Sequence, residues 1–188
     1  HRDLNRTDFW YHGSTLHLPL IGVHQSLNVC TVLAVTEQLK QKGFPIEINH
    51  IKAGLEKFQF LARWEIVREN PLIIIDGAHN QAGIDMLKAS VKQYLPDRTI
   101  VAVIGALRDK DTDYMVHALA DVFHHVITIT PNNPRALDAK TFALRWIACG
   151  QQTTAANSVE DALHRAEQLI GENGVILVCG SLFVAAEA

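Results

Sequence analysis

The stretch Leu72-Ile-Ile-Ile-Asp-Gly-Ala-His-Asn80 constrains the fold of this chain more than any other. Leu72 to Ile75 is an unbroken aliphatic run, the pattern of a strand buried on both faces in a parallel sheet. Ile84, Leu87, Val91 and Tyr94 then recur at helical spacing, which predicts a helix over Gly83–Tyr94. Asp76 and His79 therefore fall on the loop between the carboxyl end of a strand and the start of a helix. In open α/β sheets ligands bind there, and the helix start favours anions. The plain alternative is a βα turn with Asp76 and Asn80 as turn and capping residues. Asp, His and Asn packed into so short a loop weigh against it.

From Trp64 onward the pattern alternates. A strand is expected at Trp64–Val67, then Thr99–Ile104, helix Asp113–Val122, strand Val126–Thr130 and helix Ala139–Ala148. A short strand at Thr153–Ala155, a helix at Val159–Leu169 capped by Ser158, and a strand at Val175–Val178 follow. Strands and helices alternating on short loops predict a doubly wound, mostly parallel α/β sheet with helices on both faces. Its loops bring Gly105 to Asp111, Pro134-Arg135 and Gly180-Ser181 to the edge that carries Asp76. Taken singly, these read as a charged surface loop, a turn and a weak Gly-Ser signal.

The first sixty residues read differently. Phe9–Leu18 has the pattern of a hairpin with Gly13-Ser14 at its turn. Gln25–Lys42 reads as a helix stopped by Gly43, with Gln25 and Asn28 sharing a face. Asn49 is expected to cap a helix from His50 to Phe58. His12 and His17 have no third ligand nearby and read as hairpin residues, not metal ligands.

With 48% hydrophobic and 20% charged residues and a formal charge of −3, the composition is that of a globular protein without a nucleic-acid surface. No apolar run approaches a membrane span. Cys30, Cys149 and Cys179 each lie in an apolar segment, so buried thiols in a reducing cytoplasm are expected. The chain begins at His1, not Met, which reads as a fragment.

Asp-Gly-Ala-His-Asn at 76–80 resembles the signature of the folylpolyglutamate synthase/dihydrofolate synthase family within the Mur-ligase superfamily. The resemblance extends to His-Gln-x-x-Asn at 24–28, Ala-Arg at 62–63, Gly-Ala-Leu-x-Asp-Lys-Asp at 105–111, Pro-Arg-Ala-Leu at 134–137 and Gly-Ser-Leu-Phe at 180–183. Many relatives read Pro-Gly-Arg where this chain reads Leu61-Ala62-Arg63.

The resemblance implies that residues 1–60 are the tail of a central ATP-binding domain and that 61–188 form a Rossmann-like C-terminal ligase domain. It implies ATP-driven amide ligation: a folate carboxylate is phosphorylated and the acyl phosphate is attacked by glutamate. Asn28 would face the adenine, since an amide offers a donor and an acceptor to a base edge. Asp76 would accept from the ribose hydroxyls. Arg63 would neutralise phosphate, and His79 would lie near the nucleotide and the reacting centre. Lys110, Ser181 and Arg135 would hold the incoming glutamate. ATP and Mg²⁺ would be the cofactors, with most Mg²⁺ ligands in an ATPase domain joined in cis. The phosphate loop Gly-x-x-x-x-Gly-Lys-Ser/Thr is nowhere in these 188 residues. Another Mur-superfamily ligase and a non-catalytic α/β binding module stay open. A dinucleotide domain is disfavoured, because no Gly-x-Gly-x-x-Gly follows a strand.

Overall fold

The computed structural model describes residues 6–171 and 173–188, and of Val23 and His24 it describes the backbone alone. Two compact units divide at Leu61/Ala62.

In the first unit, β1 (Thr7–Tyr11) and β2 (Ser14–Leu18) pair antiparallel. Their turn is His12-Gly13, both at positive φ, one residue earlier than expected. A two-residue turn with both φ positive matches the twist of the flanking strands. Helix α1 (Val23–Gln41) ends where Gly43 turns left-handed at φ 92°. Helix α2 (Ile48–Glu56) starts earlier than expected: Asn49 lies inside it, and the cap is Glu47 in a reciprocal pair with His50. Leu16, Leu18, Val29, Leu33, Ile51 and Leu55 form the core of this unit.

The second unit is built on a six-stranded sheet. Its strands are β3 (Glu65–Glu69), β4 (Leu72–Ile75), β5 (Thr99–Ile104), β6 (His125–Thr128), β7 (Thr153–Ala155) and β8 (Gly174–Cys179), in the order β3-β4-β8-β5-β6-β7. Only β3 runs antiparallel, along β4; the other neighbours are parallel. The four central strands are apolar because both of their faces are covered. Residues of one parity (Ile73, Ile75, Val101, Val103, Ile127, Ile176, Val178) pack with Ala162 and Ala166 of α6 (Val159–Leu169) and Val184 of α7 (Leu182–Glu187). Helices α3 (Gln81–Tyr94), α4 (Thr112–Leu119) and α5 (Ala139–Ala148) lie on the other face, burying Ile84, Leu87, Met115, Leu119, Phe142 and Trp146.

In this unit each helix that follows a strand opens on a side-chain cap. Asn80, Asp111, Asp138, Ser158 and Ser181 each accept a backbone N–H two or three residues on. Such caps satisfy donors that the helix itself leaves orphaned. Of the cysteines only Cys179 is buried; Cys149 is half-buried and Cys30 exposed, because Cys30 lies on a face of α1 that the first unit leaves uncovered.

At the amino edge of the sheet, away from the loops of interest, burial holds the His125 imidazole below its ordinary range, opposed by a bond to Gln152. The unfolded chain takes a proton there below about 6.5 that the folded chain refuses. Stability is therefore full above that pH and falls as pH drops toward the folded-state value. Urea titrations at pH 7.5 and 5.5 are expected to show the decline, and His125→Gln is expected to reduce it; an identical pH dependence in the variant would contradict this.

Candidate active site

Four parallel strands end at one edge, and their loops interlock. The Asp76 N–H donates to Val178 O at 2.9 Å, and the Gly180 N–H to Ala78 O at 3.1 Å. Gly105 N–H donates to Cys179 O at 3.4 Å, and Ile129 N–H to Ile104 O at 2.9 Å. Strand β8 sits between β4 and β5, so the Gly180 loop lies between the Asp76 and Gly105 loops. The loop after β8 leads to α7 on one face of the sheet, while those after β4 and β5 lead to α3 and α4 on the other, and such divergence opens a crevice.

The Asp76 carboxylate is fixed at both oxygens. Oδ2 accepts from Trp64 N at 3.0 Å and Oδ1 from Ala78 N at 2.9 Å. Burial pushes its carboxyl above the ordinary carboxylate range, against the Ala78 and Trp64 N–H groups and the Arg63 charge, which favour the anion. A desolvated carboxylate with a charge partner at a strand end is a functional-site candidate. The same burial, with Asp76 adding, pushes the Cys179 thiol upward.

His79 Nδ1 lies 2.7 Å from Gly77 O. A carbonyl only accepts, so Nδ1 carries a hydrogen and Nε2 is the ring nitrogen left to face a ligand. Gly77 N–H in turn donates to Ala62 O at 2.7 Å. Arg63 stands between Ala62 and Trp64, both at positive φ (55° and 50°). Left-handed backbone costs a non-glycine residue about 1–2 kcal/mol. Ala62→Gly is therefore expected to hold or raise stability, although Ala→Gly elsewhere in a buried core lowers it. Thermal melts of the 188-residue chain check this, and a fall of several degrees would contradict it.

On the next loops, Arg108 N donates to Arg135 O at 2.8 Å, and Leu137 N to Ala106 O at 2.8 Å, so the two segments zip together. Asp109 faces both Lys110 Nζ at 3.6 Å and Arg135 Nη1 at 3.4 Å. Asp111 caps α4 and accepts from Gln81 Nε2 at 3.0 Å, which ties this loop to the start of α3. The Tyr114 N–H first, then Gln81, hold the Asp111 carboxyl below the usual range. Ser181 is 2% exposed and its Oγ accepts the Phe183 N–H at 3.2 Å.

The structure thus gathers Arg63, Asp76 and His79 on one interlocked stretch of backbone. It joins the Ser181 loop to that stretch through Gly180, and links Lys110 with Arg135 through Asp109. Asn28 lies in the other unit, exposed on α1, donating from Nδ2 to Gln25 Oε1 at 3.0 Å. Sequence reasoning missed Gln81, which bridges two loops, and Trp64, whose amide fixes Asp76. Neither residue type signals such a role, and the three-dimensional neighbour is needed to see it. Among the described residues no three His, Cys, Asp or Glu side chains converge on a metal position, and no helix is long and apolar enough to cross a membrane.

The fold is a doubly wound α/β domain that gathers Arg63, Asp76, His79, Lys110, Arg135 and Ser181 on its strand-end loops. The family described as Mur ligase, glutamate ligase domain matches residues 62–182. The chain belongs to that family. It is similar to the dihydrofolate synthase/folylpolyglutamate synthase of Mycobacterium tuberculosis, 32% identical over 85% of this chain and 34% of that protein. Its fold superposes on Mycobacterium tuberculosis folylpolyglutamate synthase complexed with ADP and AMPPCP, with TM-score 0.83 at 29% identity, covering 93% of this chain and 42% of that one. A bifunctional folylpolyglutamate synthase/dihydrofolate synthase with Mn, AMPPNP and L-glutamate bound gives TM-score 0.75 at 27% identity, covering 95% of this chain and 42% of that one. The chain therefore spans about a third to two fifths of these relatives' length.

Proposed function

We propose that this chain is the C-terminal part of an ATP-dependent ligase that joins glutamate to a folate carboxylate through an acyl phosphate: a folylpolyglutamate synthase that also makes dihydrofolate. The observation that carries the reading is the edge itself, where the Asp76, Gly105, Pro134 and Gly180 loops interlock in a chain whose relatives bear that name. Residues 1–61 are read as the tail of the ATP-binding domain, which is joined in cis and cytoplasmic with the rest.

Phosphoryl transfer followed by amine attack needs positioning and charge neutralisation more than covalent help. Arg63 supplies a planar fork that matches phosphate oxygens. Asp76 keeps a further lone pair on each oxygen for ribose hydroxyls. His79, its Nδ1 tied to Gly77 O, offers Nε2 beside the reacting centre. Asn28 meets the adenine. Glutamate brings two carboxylates: Lys110 and Arg135 supply cations and Ser181 a hydroxyl. Mg²⁺ neutralises the transferring phosphate when bound. By family resemblance most of its ligands would lie in the phosphate-loop domain.

The chain alone is expected to hydrolyse no ATP and extend no folate. Joined to a phosphate-loop domain, it is expected to release ADP only when folate and glutamate are both present. Turnover by the chain alone, or ADP release driven by a peptidoglycan precursor in place of folate, would overturn the reading.

A further inference from the structure

The backbone around Arg63 is held in a shape that its own sequence does not favour. Ala62 and Trp64 both lie at positive φ on either side of Arg63. Neither is glycine, so each resists that conformation. Such backbone persists only where the surroundings over-determine it. Four bonds do so here. Ala62 N–H donates to Glu65 Oε2 at 2.8 Å and Ala62 O accepts from Gly77 N at 2.7 Å. Trp64 N–H donates to Asp76 Oδ2 at 3.0 Å, and the other oxygen of that carboxylate holds Ala78 N–H at 2.9 Å. Trp64 itself is buried, its ring 6.0 Å from that of Tyr94.

We infer that Asp76 is a latch: its carboxylate clamps the strained turn Ala62-Arg63-Trp64 onto the βα loop, so that Arg63 moves as one piece with the Asp76 loop and not with the segment before it. Asp76 is then a positioning residue that acts through Arg63, whatever it also does for a nucleotide. This deepens the ligase reading, but its mechanical content does not depend on that reading. One chemical consequence follows. The guanidinium is presented at a fixed distance from the strand-end edge, so phosphate and ribose contacts arrive together.

The latch is testable on the 188-residue chain without any ligand, because trypsin cleaves after arginine. The Arg63–Trp64 bond is expected to resist trypsin in the native chain. Asp76→Asn keeps size and one acceptor oxygen but turns an N–H toward a backbone donor. It is expected to speed cleavage at Arg63 at least tenfold, with cleavage at Arg98 and Arg165 within twofold of native. Trp64 amide protection against hydrogen exchange is expected to fall in parallel, and Glu65→Ala to give a smaller change of the same sign. Unchanged cleavage at Arg63 and unchanged Trp64 protection in Asp76→Asn would overturn the latch. If cleavage rises at all arginines together, the variant has unfolded; Asp76→Glu then decides, since a longer carboxylate that restores the native fold but not Arg63 resistance supports the latch, and one that restores both contradicts it. Loss of nucleotide affinity in a complete ligase with Arg63 resistance intact would leave the ligase reading standing and the latch refuted.

Discussion

Gly180→Ala is expected to be the most damaging small substitution in the chain. Gly180 sits at φ +91°, and a Cβ there would lie 2.5 Å from Gly105 O and 2.7 Å from Ile104 Cγ1. Left-handed backbone costs about 1–2 kcal/mol, and overpacking a tight interior costs about 1–3 kcal/mol more. The clash falls on backbone, which cannot swing aside as a side chain can. Together these predict a melting-temperature fall of about 4–20 °C, taking about 2–4 °C per kcal/mol for a chain of this size. Gly150→Ala is the control: its φ is +83°, but nothing lies within 4 Å of the added carbon. That variant is expected to lose only the conformational part. Equal losses in the two variants would contradict the packed-loop description of the edge. The second consequence is local: pushing Gly105 away also strains the Gly180–Ala78 bond, so the Asp76 loop loosens with it.

Arg63→Ala carries the largest expected effect on catalysis. A hydrogen bond to a charged group contributes about 1.5–3 kcal/mol, which is about 10–150-fold in kcat/KM at tenfold per 1.4 kcal/mol. In the complete ligase the loss is expected in kcat/KM for ATP, with the fold unchanged because the side chain lies outside the core. Arg63→Lys is expected to recover part of it, since a point charge replaces the planar fork. Wild-type ATP kinetics in a folded Arg63→Ala enzyme would remove Arg63 from the phosphate site.

The elements most legible in the sequence are those where periodicity and cap agree. Ser158 followed by an amphipathic run gives α6 at Val159–Leu169, and Thr153–Ala155 is strand β7 as expected. Helix α2 starts before Asn49 because Glu47 and His50 cap each other, a pairing that the usual Ser/Thr capping rule overlooks. The antiparallel direction of β3 and the insertion of β8 between β4 and β5 are choices of tertiary packing, which single-strand patterns do not encode. The same holds for the site. The Asp76 loop and its place at a strand end follow from the aliphatic run. The two left-handed residues flanking Arg63 do not, because Ala and Trp carry no preference for that backbone; the Gly-to-Ala departure from the family pattern was the one visible trace. Cys30 was expected inside because its segment is apolar, yet α1 carries apolar residues on an exposed face as well.

Under the proposed function this domain serves the amino acid as well as the nucleotide. Lys110→Ala and Ser181→Ala in the complete ligase test that most directly, through initial rates with ATP, folate and glutamate varied in turn. Lys110 shares Asp109 with Arg135, and this exposed pairing alone contributes little to stability. Lys110→Ala is therefore expected to leave the fold intact and to raise KM for glutamate about tenfold or more, while KM for ATP and folate stays within twofold. Ser181→Ala is expected to shift the same constant in the same direction. A loss confined to ATP, or no loss for any substrate, would contradict the assignment and turn these loops into nucleotide contacts or scaffold.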